Sequence, residues 1–120
     1  MADWTQLVIK AEQTVGVALD YLHRRAAETP SPAERDRLMV WADALGKAVT
    51  DVKATEGYVP NLEAPTWDIY FHGLDFSQQQ FQRLHEYYDY SGVEFVVSGL
   101  HQNLVAMAGP HGPGGGRPGK

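Results

Sequence analysis

Two long apolar stripes on either side of Thr29-Pro30-Ser31-Pro32 constrain the fold of this chain more than any other feature. In each stripe, apolar residues recur at alternating spacings of four and three, which keeps one face of a helix against a neighbour. The first stripe consists of Trp4, Val8, Ala11, Val15, Ala18 and Leu22, and the second of Leu38, Ala42, Leu45, Val49 and Val52. The pattern predicts helices over residues 4–28 and 32–56, folded by a short turn into an antiparallel hairpin.

Three consecutive features mark the start of the second helix. Ser31 can cap it, Pro32 stands at the first helical position, where its missing N–H is not needed, and Glu34 follows at the third position. A hydroxyl at the capping position accepts a hydrogen bond from a free N–H group of the first turn. The helix is therefore expected to begin at Pro32.

Two further helix starts each combine a capping box with a hydrophobic staple. The residues concerned are Ser77 and Gln80 with Phe76 and Phe81, then Ser91 and Glu94 with Tyr90 and Phe95. They predict shorter helices over residues 78–90 and 92–108, separated by a break at Ser91-Gly92. The predicted buried residues are Phe81, Leu84 or His85, and Tyr88 in the first, and Val93, Val97, Leu100, Leu104 and Met107 in the second.

Residues 57–76 interrupt the helical pattern with glycines and prolines, yet they carry many aromatic side chains. We expect them to form an aromatic lid loop, because burying a large apolar side chain is worth about 1.5–3 kcal/mol. The Gly/Pro-rich tail over residues 109–120 is expected to be disordered. The predicted fold is an all-α four-helix bundle in a single domain over residues 1–108, built from the long antiparallel hairpin, the shorter helix pair and the lid.

Small residues recur every seven positions on one face of the last predicted helix, at Gly92, Gly99 and Ala106. They would let another backbone or a ligand approach closely. Close helix packing is the simpler interpretation of this repeat, and a ligand groove is the alternative.

Composition and charge exclude several classes of function. The chain has no cysteine, which removes disulfides, thiol nucleophiles and thiolate metal sites. Because no apolar run approaches the ~20 residues needed to cross a bilayer and no signal-peptide layout is visible, we expect a cytoplasmic protein outside the membrane. Residues 57–116 carry six acids against Arg83 alone, and such a surface repels phosphate. Nucleic-acid binding is therefore disfavoured for this half of the chain, and a contact through the arginines near residues 24–37 is the weaker alternative.

A divalent metal is the one cofactor that the sequence could hold. His85 and Asp89 lie four residues apart and so share a helix face, and His72 or His101 could complete a site. No H-E-x-x-H or paired E-x-x-H motif supports the site. A polar helix flank with a hydrogen-bonded histidine is the preferred interpretation, and no cofactor is predicted.

Nucleophilic catalysis has no supporting motif. Ser77 and Ser91 are explained as helix caps, and Ser98 lies in a helix interior without a G-x-S-x-G context. The sequence therefore favours a binding role over an enzyme.

Two surfaces are candidates for binding a partner protein. Trp67, Tyr70 and Tyr87 belong to neither a stripe nor a staple, and they lie with Asp89 in the most aromatic and acidic part of the chain. Tyrosine and tryptophan are enriched at interface centres, although burial in the core or lid is the alternative. Arg35 and Arg37 lie at the tip of the hairpin, together with His23, Arg24 and Arg25. Forked arginine contacts could bind a phosphate or an acidic partner there, with a solvated tip of mixed ion pairs as the alternative.

The leading hypothesis is a small cytoplasmic protein-interaction module, such as a regulator, inhibitor or adaptor. It would bind a partner protein through the acidic aromatic surface of residues 58–90. The alternative is a metal- or small-ligand-binding bundle, with an enzyme as one version of it, around His72, His85, Asp89 and His101. An exposed end of the first hairpin could also form a homodimer.

Overall fold

A computed structural model describes residues 4–54, 64–87 and 92–108, without the side chains of residues 4, 64–67, 86 and 87. These residues form four helices and no strand: α1 (Trp4–Glu28), α2 (Pro32–Ala54), α3 (Ala64–Tyr87) and α4 (Val93–Ala108). α1 packs against α2 and α3, and α4 packs against the same two helices. The predicted all-α class is confirmed, and the helix contacts are those of a bundle. Within the described residues, no helix is long and apolar enough to cross a membrane.

Three helices lie close to their predicted positions. α1 spans the predicted residues, α2 begins at the predicted Pro32, and α4 begins at Val93, one residue after the predicted start. α3 and α4 are separate helices, as the predicted break requires. The ends of the predicted spans at residues 55–56 and 88–90, and the tail over 109–120, lie outside the described residues.

The predicted lid loop over 57–76 is wrong for residues 64–76, which form the first half of α3. Residues 57–63 lie outside the described part of the chain. Consequently α3 does not begin at residue 78, and Ser77 lies in a helix interior instead of capping a helix.

The helix continues through this region because its buried stripe continues. Leu74, Ser77, Phe81 and Leu84 follow the helical spacing and are at most 7% exposed. Gly73 costs about 1 kcal/mol relative to alanine in a helix interior. Full burial of Leu74 and Phe81, worth about 1.5–3 kcal/mol each, outweighs that cost.

The hydrophobic core takes one face from each helix. All five predicted core residues of α4 are buried, and so are Leu38, Ala42, Leu45 and Val52 of α2. In α1 the apolar face is wider than the single stripe, because Leu7 and Tyr21 are buried as well and Val8 is partly buried. The buried side chains of α1 are Leu7, Ala11, Thr14, Val15, Ala18, Tyr21, Leu22 and Ala26.

The turn between α1 and α2 contains the predicted cap. The Glu34 N–H donates to Ser31 Oγ at 3.2 Å, which confirms Ser31 as the N-cap of α2. The reciprocal hydrogen bond of a capping box, from the Ser31 N–H to the Glu34 side chain, is replaced by two other contacts. The Ser31 N–H donates to Thr29 Oγ1 at 3.3 Å, while the Glu34 carboxylate pairs with Arg25 at 2.9 Å.

Candidate functional site

An apolar groove of about 360 Å³ lies between α3 and α4. We call the residues that line it the Phe76–Phe95 surface: Gly73, Phe76, Ser77 and Gln80 of α3, and Phe95, Val96, Gly99 and Asn103 of α4. Both aromatic side chains are largely exposed to solvent, Phe76 by 58% and Phe95 by 82%. Among the residues that the structure describes, none that lines the groove is charged.

Asn103 and Gly73 set the approach of the two helices at one end of this groove. The Asn103 Nδ2 group donates a hydrogen bond to the Tyr70 carbonyl oxygen at 3.2 Å. A β-carbon at Gly73 would lie only 2.8 Å from the same Nδ2 atom. Glycine at this helix-interior position therefore leaves room for the Asn103 side chain.

Gly99 has a different role. Apart from the adjacent backbone of its own helix, a β-carbon built there meets no atom of the described residues within 4 Å, and the same is true of Gly92. Close helix packing therefore does not explain the glycines of the Gly92, Gly99 and Ala106 repeat. Gly99 instead lines the Phe76–Phe95 surface, where the missing side chain leaves the groove open.

The chemistry of this surface suits contact with apolar groups. Its polar lining side chains are neutral: the buried Ser77 hydroxyl and the amides of Gln80 and Asn103. Such a lining supplies no charged acid, base or metal ligand. It matches the centre of a protein interface, where charged residues are depleted and aromatic residues are enriched.

A second, more polar groove runs along the contact between α1 and α3, with Lys10 and His72 among its lining residues. Lys10 Nζ lies 2.7 Å from Asp75 Oδ1, with the lysine side chain only 13% exposed. The hydrogen bond from Lys10 is the main reason that the pKa of Asp75 lies below its ordinary value of 3.8. Nearby, the buried Thr14 hydroxyl lies 3.3 Å from the Leu74 carbonyl oxygen and 3.4 Å from Gln78 Oε1. These contacts hold α3 against α1.

Two of the predicted metal ligands, His72 and His85, are not brought together. His72 and His85 both lie on α3, thirteen residues apart, which is roughly 20 Å along the helix. His101 lies on α4, and Asp89 lies outside the described residues. Among residues 4–54, 64–87 and 92–108, no group of three histidine, aspartate or glutamate side chains is placed to hold a metal ion.

His85 already has a cationic neighbour. Arg24 Nη1 lies 2.6 Å from His85 Nε2, and because a guanidinium group can only donate, the imidazole nitrogen is the acceptor. This contact agrees with the preferred interpretation of the sequence, a hydrogen-bonded histidine on a polar helix flank.

The aromatic residues predicted to bind a partner are placed only in part. Trp67 and Tyr87 belong to α3, but their side chains lie outside the described part of the chain, as does all of Asp89. Tyr70 is half-buried and packs against the hydrophobic core. Its side chain therefore follows the core interpretation.

The arginines at the turn between α1 and α2 largely contact their own chain. Arg25 pairs with Glu34, and Arg24 lies 3.4 Å from Asp20. Arg35 Nε and Nη2 lie 3.4 Å from the carbonyl oxygens of Ala26 and Thr29, where α1 ends. Arg37 is exposed. These contacts agree with the interpretation of the turn as a solvated tip of mixed ion pairs.

Sequence reasoning missed the Phe76–Phe95 surface because it assigned both phenylalanines to hydrophobic staples. The staple between Phe76 and Phe81 is wrong, since Phe81 is fully buried while Phe76 is exposed. Tyr90 lies outside the described residues, and Phe95 is exposed. The available signal was a second, uncharged stripe at helical spacing in α3, formed by Ile69, Gly73, Phe76 and Gln80.

No protein-family model, curated protein or solved structure matches this chain.

Proposed function

We propose that this chain is a protein-interaction module and that its contact surface is the Phe76–Phe95 surface. The observation that carries the proposal is Phe95, a large apolar side chain that is 82% exposed at the edge of an uncharged groove. Large apolar groups concentrated around a groove are typical of binding surfaces, whereas scattered single residues are ordinary.

This proposal keeps the predicted class of function and changes its location. The acidic aromatic surface over residues 58–90 depended on Trp67, Tyr70, Tyr87 and Asp89, of which only the half-buried Tyr70 has a described side chain. Phe76 and Phe95 are both exposed beside an apolar groove, whereas Tyr70 is half-buried. This exposure supports a binding site at the two phenylalanines. A role as a cytoplasmic regulator, inhibitor or adaptor remains a prediction from the sequence.

The finer arrangement of the scaffold is also an inference. Two ion pairs support an antiparallel hairpin of α1 and α2: Arg25 with Glu34 beside the turn, and Glu12 with Lys53 farther from it. When two consecutive helices run in opposite directions, an early residue of the first lies beside a late residue of the second. The hairpin thus supplies one side of the bundle, and α3 and α4 carry the contact surface on the other.

Affinity capture from the native host tests the proposal. The tagged chain is compared with the double variant Phe76→Ser/Phe95→Ser and with the control Val40→Ser. Val40 is a suitable control because it is 64% exposed on α2, away from the groove. The unmodified chain and the control are expected to retain their partner proteins, which include any untagged copy of this chain. The double variant is expected to lose them. Capture of the same chains by all three proteins would reject this surface.

A further inference from the structure

We infer that the partner seated on the Phe76–Phe95 surface is a second copy of this chain, in a two-fold symmetric dimer. The inference rests on the proposed function, because it names the partner of the same surface. It differs from the sequence-based homodimer, which was expected at an end of the first hairpin.

The shape of the surface is self-complementary. Phe76 stands on α3 and Phe95 on α4, and Gly99 contributes no side chain to the groove between them. A two-fold interface uses the same residues of both copies, so each copy must present both the protruding group and the recess. In this chain the protruding Phe95 side chain and the groove lie side by side. Phe95 of each copy can therefore enter the groove of the other.

Charge does not oppose a second copy at this surface. The chain has a net charge of −5, and residues 57–116 hold six acids against one base, so two copies repel each other over most orientations. The eight residues that line the groove are uncharged. Two copies meeting here bury no like charges at the centre of their contact. A strongly basic partner would instead be selected by acidic side chains, which this lining does not contain.

The exposed aromatic area suits a dimer of modest size. A phenylalanine side chain buries about 150–250 Å². With exposures of 58% and 82%, Phe76 and Phe95 together offer roughly 200–350 Å² per copy, or about 400–700 Å² in the pair. A stable interface buries at least ~1,200 Å² in total. The phenylalanines of the two copies thus supply about a third to three-fifths of that area, and other exposed side chains of α3 such as Ile69 can add to it.

Sedimentation velocity on the purified full chain tests the inference over about two decades of concentration across the micromolar range. The chain is expected to approach twice its mass of 13.3 kDa as the concentration rises. Phe95→Glu should weaken dimerisation by about 30-fold or more, because it removes a central aromatic group and places a charge in the groove. Val40→Glu makes the same charge change on α2 and should leave dimerisation unchanged.

Folding of the variant is checked separately. Glutamate in the first turn of α4 is favourable for the helix, and Phe95 is largely exposed, so Phe95→Glu should keep the helical circular dichroism and the thermal midpoint of the dilute monomer. A fall in that midpoint would show that another part of the same chain covers Phe95, and it would overturn the inference.

The remaining outcomes separate this inference from the proposed function. A chain that stays monomeric throughout, or a dimer that Phe95→Glu does not weaken, overturns the inference of self-association through this surface. If the double variant Phe76→Ser/Phe95→Ser nevertheless loses a different protein in the capture experiment, the proposed function stands with another partner. If capture is also insensitive to that variant, both proposals fail.

Discussion

Alanine at Gly99 is expected to raise the free energy of unfolding by about 0.5–1 kcal/mol. Gly99 lies in the interior of α4, and a β-carbon there meets no atom within 4 Å. The substitution therefore gains helix propensity without steric cost. For a chain of this size the gain corresponds to a rise of about 2–5 °C in the thermal midpoint.

Gly46 provides a matched control. It lies in the interior of α2, and a β-carbon there also meets no atom within 4 Å. Gly46→Ala is expected to stabilise the fold by a similar amount, because the same backbone entropy is removed from the unfolded chain.

Gly73→Ala should behave differently. The new β-carbon would lie 2.8 Å from Asn103 Nδ2 and displace the amide that donates to the Tyr70 carbonyl oxygen. Loss of that hydrogen bond costs about 0.5–1.5 kcal/mol, which offsets the helix gain of about 1 kcal/mol. The expected net change is near zero or destabilising. In an Asn103→Ala background the obstacle is gone, and Gly73→Ala should stabilise by about 0.5–1 kcal/mol.

Urea denaturation followed by circular dichroism measures these changes. The experiments are made at low protein concentration so that association does not add to stability. If the free energy of unfolding falls with urea concentration at the same slope in all variants, their urea midpoints can be compared directly. If Gly73→Ala has the same effect with and without Asn103, the close approach of α3 and α4 at this point is wrong, and so is the shape of the groove.

Two further predictions concern α3. Phe81→Ala should lower the free energy of unfolding by about 3–5 kcal/mol in denaturation experiments, because Phe81 is fully buried. Phe76 is exposed, so Phe76→Ala should change the unfolding free energy of the dilute chain by less than about 1 kcal/mol. Similar costs for the two variants would contradict the orientation of α3. Because the pKa of Asp75 is lowered in the folded chain, its pair with Lys10 stabilises the fold above the ordinary value of 3.8 and loses this effect as the pH falls through the lower, folded value. The difference in unfolding free energy between the native chain and Asp75→Asn should therefore be constant near neutral pH and shrink below pH 3.8, and a difference independent of pH would refute this reasoning.

Helix positions were predictable where local signals and apolar periodicity agreed. At the start of α2, Ser31 and Pro32 specify the first turn through neighbouring atoms, and the predicted cap is present at 3.2 Å. In α4, the buried residues from Val93 to Met107 follow one uninterrupted stripe. Both features depend on residues within a few turns of each other, which is why the sequence alone could specify them.

The candidate site was not predictable to the same degree. A capping box at Ser77 and Gln80 is a valid local signal, but the same residues are also compatible with a helix interior. Which state forms depends on whether Leu74 and Ser77 find a neighbour to bury them. Thr14 of α1, sixty residues earlier, lies 3.3 Å from the Leu74 carbonyl oxygen. No short-range pattern contains that contact.

By itself, the sequence determined an all-helical chain, the starts of α2 and α4, and most of the buried stripes. These properties follow from capping, proline geometry and helical periodicity, which act over one or a few turns. Only the tertiary structure decided that α3 runs through Gly73 and that Phe76 and Phe95 face solvent beside a groove. The reason is physical: an aromatic side chain becomes core or surface according to which helix packs against it, and that choice is made by the whole bundle.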